Sequence, residues 1–228
     1  MSDLESSPEA NPQASLARRV LAPVRKRPRP GERRVQILQA LATMLEHPGA
    51  ERITTAALAA RLDVSEAALY RHFASKAQMF EGLIDFIEQT VFSLINQIVE
   101  RESASNPVDL APAAQSGARQ AAQIIVMLIQ FAEKNPGMTR VMVGDALVFE
   151  NERLQQRMNQ FFDKIEAALK QSLRSVVDAS GSATPSVDTQ VRASVLSAFV
   201  VGRLQRFARS GFKRLPSEHL ESSLALIL

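Results

Sequence analysis

The chain has 228 residues, 46% of them hydrophobic and 22% charged, with a formal net charge of +3. That is ordinary globular composition, long enough to bury a sizeable core, and it excludes global disorder. Cysteine is absent, which excludes disulfides, thiolate metal sites and cysteine nucleophiles and fits a reducing cytoplasm.

The N-terminus carries Asp3, Glu5 and Glu9 and no apolar segment, so a signal peptide is not expected. Nor does any apolar run reach the roughly 18 to 20 residues of a membrane span. Residues 1–30 hold Pro8, Pro12, Pro23, Pro28 and Pro30, too many for a packed element. They also hold Arg18, Arg19, Arg25, Lys26, Arg27 and Arg29, and the cluster continues to Arg33 and Arg34. Such a block reads as a disordered basic arm whose commonest partner is nucleic acid; the alternative is a solvated tail.

A helical pattern begins at Gly31. Val35, Leu38, Leu41, Ala42 and Leu45 form its apolar stripe, and Pro48-Gly49 ends it. Thr54 or Thr55 caps a second helix running through Leu58 to Ala60, and Arg61 to Val64 make a turn. Ser65 caps a third helix, with Glu66 in the first turn where negative charge suits the helix dipole. Leu58, Val64 and Leu69 are spaced to pack these two helices together. Residues 31–75 thus read as a three-helix head containing a helix-turn-helix.

Residues 76–228 read as a second, all-helical domain. Ser75-Lys76 opens a long fourth helix with Met79, Phe80, Leu83, Phe86, Ile87, Val91, Leu94, Ile95 and Ile98 at its apolar positions. Ser103 to Ser116, with Pro107 and Pro112, reads as a loop. Gly117 to Lys134 forms a helix stopped by Asn135-Pro136-Gly137, and one or two short helices cover Met138 to Phe149. Two long helices follow. The first carries Met158, Phe162, Ile165, Leu169, Leu173 and Val176; the second carries Val191, Val195, Phe199, Leu204 and Phe207, after a loop at Ala179 to Ser186. No strand pattern appears, so the fold class is all-α.

In a helix-turn-helix the second helix enters the major groove with its N-terminal residues against base edges. Here those are Ser65, Glu66 and Ala67: serine donates or accepts, glutamate accepts from cytosine N4, and alanine touches a thymine methyl. Tyr70, the single tyrosine, and His72 lie farther along, within reach of phosphate oxygens, and Arg71 suits either purpose. Thr54 and Thr55 head the second helix, and Lys76 heads the fourth, each placed for a phosphate contact. Helix capping, a half-buried ring and a solvated lysine are the structural alternatives.

The segment TTAALAARLDVSEAALYRHFASK resembles the helix-turn-helix of TetR-type regulators. The resemblance implies a three-helix head and an all-helical C-terminal domain that dimerises through its last long helices, so that two heads read an approximately palindromic duplex. RITTAALAARLDVSEAALYRHFASKAQMFEGLIDFIE, EKNPGMTRVMVGDALVFENERLQQRMNQFFDKIEA and RFARSGFKRLP resemble the nucleoid occlusion branch of that family. That closer likeness implies a nucleoid-associated cytoplasmic protein that antagonises assembly of the tubulin-like division protein FtsZ by holding its C-terminal tail. The tail would lie between the fourth helix and the helix ending at the Asn-Pro-Gly turn, against Phe86, Lys134 and Asn135. Phe86 as core and Asn135 as a helix stop are the bland readings. Leu94 departs from the basic residue expected there, and Asp63 stands where the turn usually has glycine.

Two other classes compete. A ligand-responsive repressor would line an apolar pocket with residues from Ile124 to Phe149. An enzyme finds little support: there is no GxxxxGK or HExxH, and His47, His72 and His219 are scattered. Glu150 and Glu152 read as a solvated helix face. No cofactor, metal or obligatory small molecule is expected.

Overall fold

Nine α-helices and a 3-10 turn are described within residues 31–47, 53–104 and 110–228 of this computed structural model, and no strand occurs among them. The basic arm before Gly31, the Pro48-Gly49 stop and Pro107 lie outside the described residues. The helices are α1 Glu32–Leu45, α2 Thr55–Arg61, α3 Glu66–Tyr70, α4 Lys76–Ala104 and α5 Leu110–Lys134. After them come α6 Pro136–Met142, the 3-10 turn Asp145–Leu147, α7 Glu152–Ala179, α8 Pro185–Arg209 and α9 Leu220–Ile227.

From Arg34 onward the chain packs around one continuous core. In α1 that core takes Ile37, Leu41, Ala42 and Leu45 with Leu38 packed against it, so the expected stripe faces inward except at Val35, which is exposed, and is joined by Ile37. Arg34 clips α1 to the end of α3: its guanidinium donates to the His72 carbonyl at 3.0 Å and lies 4.2 Å from the Phe73 ring centroid. Phe73 and Leu38 press on α4 at Gly82, where an added Cβ would come within 2.9 Å of the Phe73 ring edge.

The head is also seated from the other side. Gly137, in the first turn of α6, faces the backbone of α1, and an added Cβ would sit 1.9 Å from the Ala42 carbonyl oxygen. The Asn135-Pro136-Gly137 turn therefore does more than stop α5. Asn135 donates through its side-chain amide to the Phe131 carbonyl at 2.8 Å, Pro136 occupies the first helical position, and glycine permits the close approach.

The loop expected at Ser103 to Ser116 is shorter than that. Helix α4 continues to Ala104 and α5 begins at Leu110. Pro112 falls in the first turn of α5, where a missing N–H breaks no intrahelical bond, so it does not signal a loop. Helix α5 then passes close to α7 at Gly117, whose added Cβ would lie 2.4 Å from the Ser172 carbonyl oxygen.

α7 is central, packing against α4, α5 and α8. It buries Leu154, Met158, Phe161, Ile165, Leu169, Leu173 and Val177, while the expected Phe162 and Val176 are only partly buried. On the α4 side runs a ladder of ion pairs: Lys76 with Glu150, Glu81 with Arg153, Asp85 and Glu88 with Arg157 at 2.9 and 2.5 Å, and Glu88 with Lys164 at 3.0 Å. The partners advance together along both helices, so α4 and α7 run side by side in the same direction. Burial alone would lower the Arg157 pKa, but bonds and charge from Asp85 and Glu88 outweigh it and hold it above the ordinary value.

The stripe expected on α8 divides between two faces. Ala193, Leu196, Val200, Leu204 and Phe207 point inward, while Val187, Val191 and Val195 are exposed and Phe199 is partly buried. Strict steps of four drift about 40° per step around a helix of 3.6 residues per turn, so the valine series winds off the inward seam, which mixes threes and fours. Near the C-terminus Arg203 donates to the carbonyls of Pro216 and Glu218, both at 2.7 Å, and to Ser223 Oγ at 2.8 Å. Burial and the nearby Arg206 charge lower its pKa. No described helix is long and apolar enough to cross a membrane.

Candidate nucleic-acid interface

The helix-turn-helix is built by its caps. Thr54 is the N-cap of α2, its hydroxyl accepting from Ala57 N at 3.1 Å, and Ser65 is the N-cap of α3, accepting from Ala68 N at 3.3 Å. Asp63 adopts the left-handed backbone of the turn with φ 53°, a conformation that aspartate tolerates better than most residues. Leu58 and Leu69 are buried between the helices and Val64 packs against the same core. Ser75 starts α4 by accepting from Gln78 N at 3.2 Å, and the Gln78 side chain accepts from Ala74 N at 2.9 Å, a reciprocal cap.

This scaffold leaves Thr54, Ser65, Glu66, Ala67, Tyr70, Arg71 and His72 exposed, with Thr55 half-buried. Three of these side chains form one network. The Thr55 hydroxyl donates to Glu66 Oε2 at 2.5 Å, and the Tyr70 hydroxyl donates to Thr55 Oγ1 at 3.4 Å. Thr55 is thus a bridge between α2 and α3, and Thr54 alone is the cap. His72 contributes its carbonyl to the Arg34 clip, while its ring stays exposed.

Lys76 is engaged. Its ammonium pairs with Glu150, whose side chain is only 10% exposed, and lies 5.7 Å from the Phe80 ring centroid. Glu150 is therefore not part of a solvated face, and it precedes α7 rather than lying within it. The reason is spatial: a long lysine at the head of α4 reaches a carboxylate in the turn between the 3-10 segment and α7. Glu152 is exposed in the first turn of α7. That pairing, and the bridging of Thr55 to Glu66, join residues distant in sequence and carry no local signature.

A second candidate surface lies farther along α4. Phe86 is 41% exposed and so is not core. Lys134, at the end of α5, is exposed, and the Asn135 amide is held by Phe131. Beyond Phe86, α4 and α5 form a groove of about 360 Å³ walled by Leu94, Ile98, Val126 and Met127, with Arg101 and Gln130 among its polar residues. Leu94, the departure noted above, is thus part of an apolar floor, and a basic residue enters two turns later. Ile124, Ile125, Leu128, Ile129 and Val141 fill the core instead of lining an open pocket.

No three-residue His, Asp or Glu cluster able to hold a metal occurs among the described residues.

Residues 37–83 match the family described as "Bacterial regulatory proteins, tetR family", and residues 118–228 match "Tetracyclin repressor-like, C-terminal domain", labelled SlmA-like. The chain is 48% identical over 201 residues to nucleoid occlusion factor SlmA of Aliivibrio fischeri strain MJ11, covering 88% of this chain and 96% of that protein. It is 49% identical over 197 residues to the factor of the same name from Vibrio cholerae serotype O1, covering 86% and 93%. Among solved structures, the transcriptional regulator FadR from Bacillus subtilis in complex with stearoyl-CoA superposes with a TM-score of 0.61 at 15% identity, covering 85% and 96%. The TetR family regulator PfmR from Thermus thermophilus gives 0.57 at 20% identity, covering 85% and 97%. At such identities the structural likeness establishes the all-helical fold. The near-half identity over almost the whole of both sequences establishes kinship: the chain belongs to the TetR family of helix-turn-helix DNA-binding regulators and, within it, to the SlmA group of nucleoid occlusion factors.

Proposed function

We propose that this protein binds approximately palindromic chromosomal sites as a homodimer. While bound, it holds the C-terminal tail of FtsZ and antagonises FtsZ assembly over the nucleoid. The observation that carries this reading is the continuity of α4. One helix begins at Lys76, beneath the exposed face of the head, and carries Phe86 and Leu94 toward the groove shared with α5. In this reading residues 31–75 read DNA, 76–228 dimerise and hold the partner, and the basic arm of residues 1–30 adds phosphate attraction.

In the head, Ser65, Glu66 and Ala67 face base edges, while Thr54, Arg71 and His72 meet the backbone and Tyr70 braces Thr55 against Glu66. Phe86 supplies an apolar wall for the tail, Lys134 a charge for an acidic tail residue, and Asn135 a hydrogen-bonding group once released from Phe131. The exposed valines of α8 provide the dimer seam. This location at the nucleoid needs no membrane segment and no small ligand.

Lys76 links the two surfaces. A phosphate at the head of α4 competes with Glu150 for the same ammonium, so DNA alters one rung of the ladder that fixes α4 against α7. Tail affinity and DNA affinity are then coupled, and by linkage each raises the other by the same factor. Lys76→Ala is expected to weaken binding to all duplexes and to reduce the slope of log affinity against log salt by about one. A loss confined to selected sites would contradict the phosphate role.

Phe86→Ala is expected to weaken capture of the FtsZ tail by roughly tenfold while leaving DNA binding intact, as truncating a contact of ~1 to 2 kcal/mol would. Fluorescence anisotropy with a labelled tail peptide reads this out. The function as a whole is tested by co-sedimenting FtsZ polymers with this protein, with and without duplex carrying its selected site, using tail-deleted FtsZ as control. DNA-dependent recruitment that needs the tail is expected. Recruitment that ignores both would sink the proposal.

A further inference from the structure

The head presents a carboxylate where its ligand is a polyanion. Between residues 53 and 76 the acidic residues are Asp63, in the turn, and Glu66, at the start of the reading helix. Glu66 is exposed, yet it is not an idle surface charge. Its Oε2 accepts the Thr55 hydroxyl at 2.5 Å, and Thr55 Oγ1 in turn accepts the Tyr70 hydroxyl at 3.4 Å. Both hydroxyl protons are thus directed along a surface chain that ends on the carboxylate. Neither is offered to an approaching phosphate while the chain stands.

A carboxylate held in place on a surface that meets duplex has two consequences. Every sequence presents phosphates, so the charge opposes binding to all of them alike. In the major groove cytosine N4 and adenine N6 both donate, but adenine sets its N7 acceptor beside the amino group and repels a second carboxylate oxygen, so a duplex placing cytosine there compensates the charge best. The opposition is general and the relief is specific.

We propose that Glu66 is the specificity-determining residue of the head, aimed by Thr55 and Tyr70. It discriminates against DNA in general and accepts sites with cytosine at one position of each half-site. Thr55 is its positioning residue. This rests on α3 being the helix that enters the major groove, and the experiment separates the two ideas.

The wild-type protein, E66Q and E66D each enrich a random-sequence duplex library, and the affinity of each for the unselected library is measured across a salt series. Glutamine keeps an acceptor for Thr55 and removes the charge. Aspartate keeps the charge and shortens the reach. The wild type is expected to enrich sites with a fixed cytosine in each half-site. E66Q should lose that cytosine and bind unselected library about tenfold more tightly, shrinking the specificity ratio on the scale of one mismatched base pair. E66D should bind unselected library as weakly as the wild type while its cytosine preference falls. T55V should lose cytosine preference with no gain on unselected DNA.

The proposal is overturned if E66Q enriches the same cytosine, if it gains nothing on unselected library, or if E66D behaves as E66Q does. Equal loss by E66Q on all DNA, with an unchanged unfolding midpoint, would make Glu66 a structural bridge and overturn it too. Failure of the wild type to enrich any site would remove the DNA-reading assignment of α3 itself, a result distinct from the rest.

Discussion

Gly137→Ala is expected to unseat the head from the C-terminal helices. The added Cβ would lie 1.9 Å from the Ala42 carbonyl oxygen, 2.9 Å from its carbon and 3.2 Å from Leu45 Cβ. The first two are backbone atoms of a helix whose inner face is buried, so no side-chain rotation relieves the overlap. Either α6 or α1 must move as a body. Overpacking of this kind costs ~3 kcal/mol, and for a chain of this size the Tm should fall by roughly 6 to 12 °C. DNA affinity should fall with it, because Arg34 ties α1 to the end of α3. Differential scanning calorimetry and a duplex-binding isotherm check both effects. A Tm within a degree of the wild type would mean that α1 yields freely, and that the Asn-Pro-Gly turn is only a helix stop.

The second large effect lies on α8. Val191 and Val195 are 55% and 49% exposed, and with Val187 they form one stripe at steps of four along α8. Replacing both with aspartate leaves the inward seam from Ala193 to Phe207 untouched, so the subunit should still fold. Burying two carboxylates against a partner's valines is prohibitive without compensating bonds. The variant is therefore expected to sediment as a monomer. Its affinity for a two-half-site duplex should drop on the order of 100-fold, since the heads no longer share one encounter. Analytical ultracentrifugation decides this directly. A dimer of unchanged stability would place the interface elsewhere.

The two substitutions act on different levels of the same fold. Gly137 concerns how the head is carried and Val191 how it is doubled. In the proposed reading, Lys76, Phe86 and Glu66 concern what the assembled surfaces hold.

Much of the molecule is legible in its amino-acid order. The caps at Thr54, Ser65 and Ser75, the left-handed Asp63, the stop at Asn135-Pro136 and the two long terminal helices follow from local chemistry. A hydroxyl satisfies free N–H groups at a helix start, and proline cannot continue a backbone ladder wherever its neighbours sit. Expectation and structure part where local patterns are degenerate. Pro112 signals a loop by composition, yet in the first turn of α5 it costs no bond. Val35, Phe162, Val176, Val191 and Val195 are apolar at helical spacing, but spacing alone does not say which of two adjacent apolar rows turns inward.

The candidate sites divide in the same way. The residue types of the DNA-reading face are visible in the segment from Thr54 to Lys76, because a helix-turn-helix is continuous in sequence. Their partnerships are not. Thr55 meets Glu66 across 11 positions and Lys76 meets Glu150 across 74, and no local rule ties such pairs. The same holds for Gly137 against Ala42, for Phe86 standing outside the core, and for the valine row left exposed on α8. Helix ends, turns and the chemistry available at each surface are written in the order of residues, since they depend on neighbours within about one helical turn. Which charges are already spoken for, which apolar rows remain uncovered and where two backbones touch are settled by packing, because those depend on helices far apart in the chain coming to rest against one another.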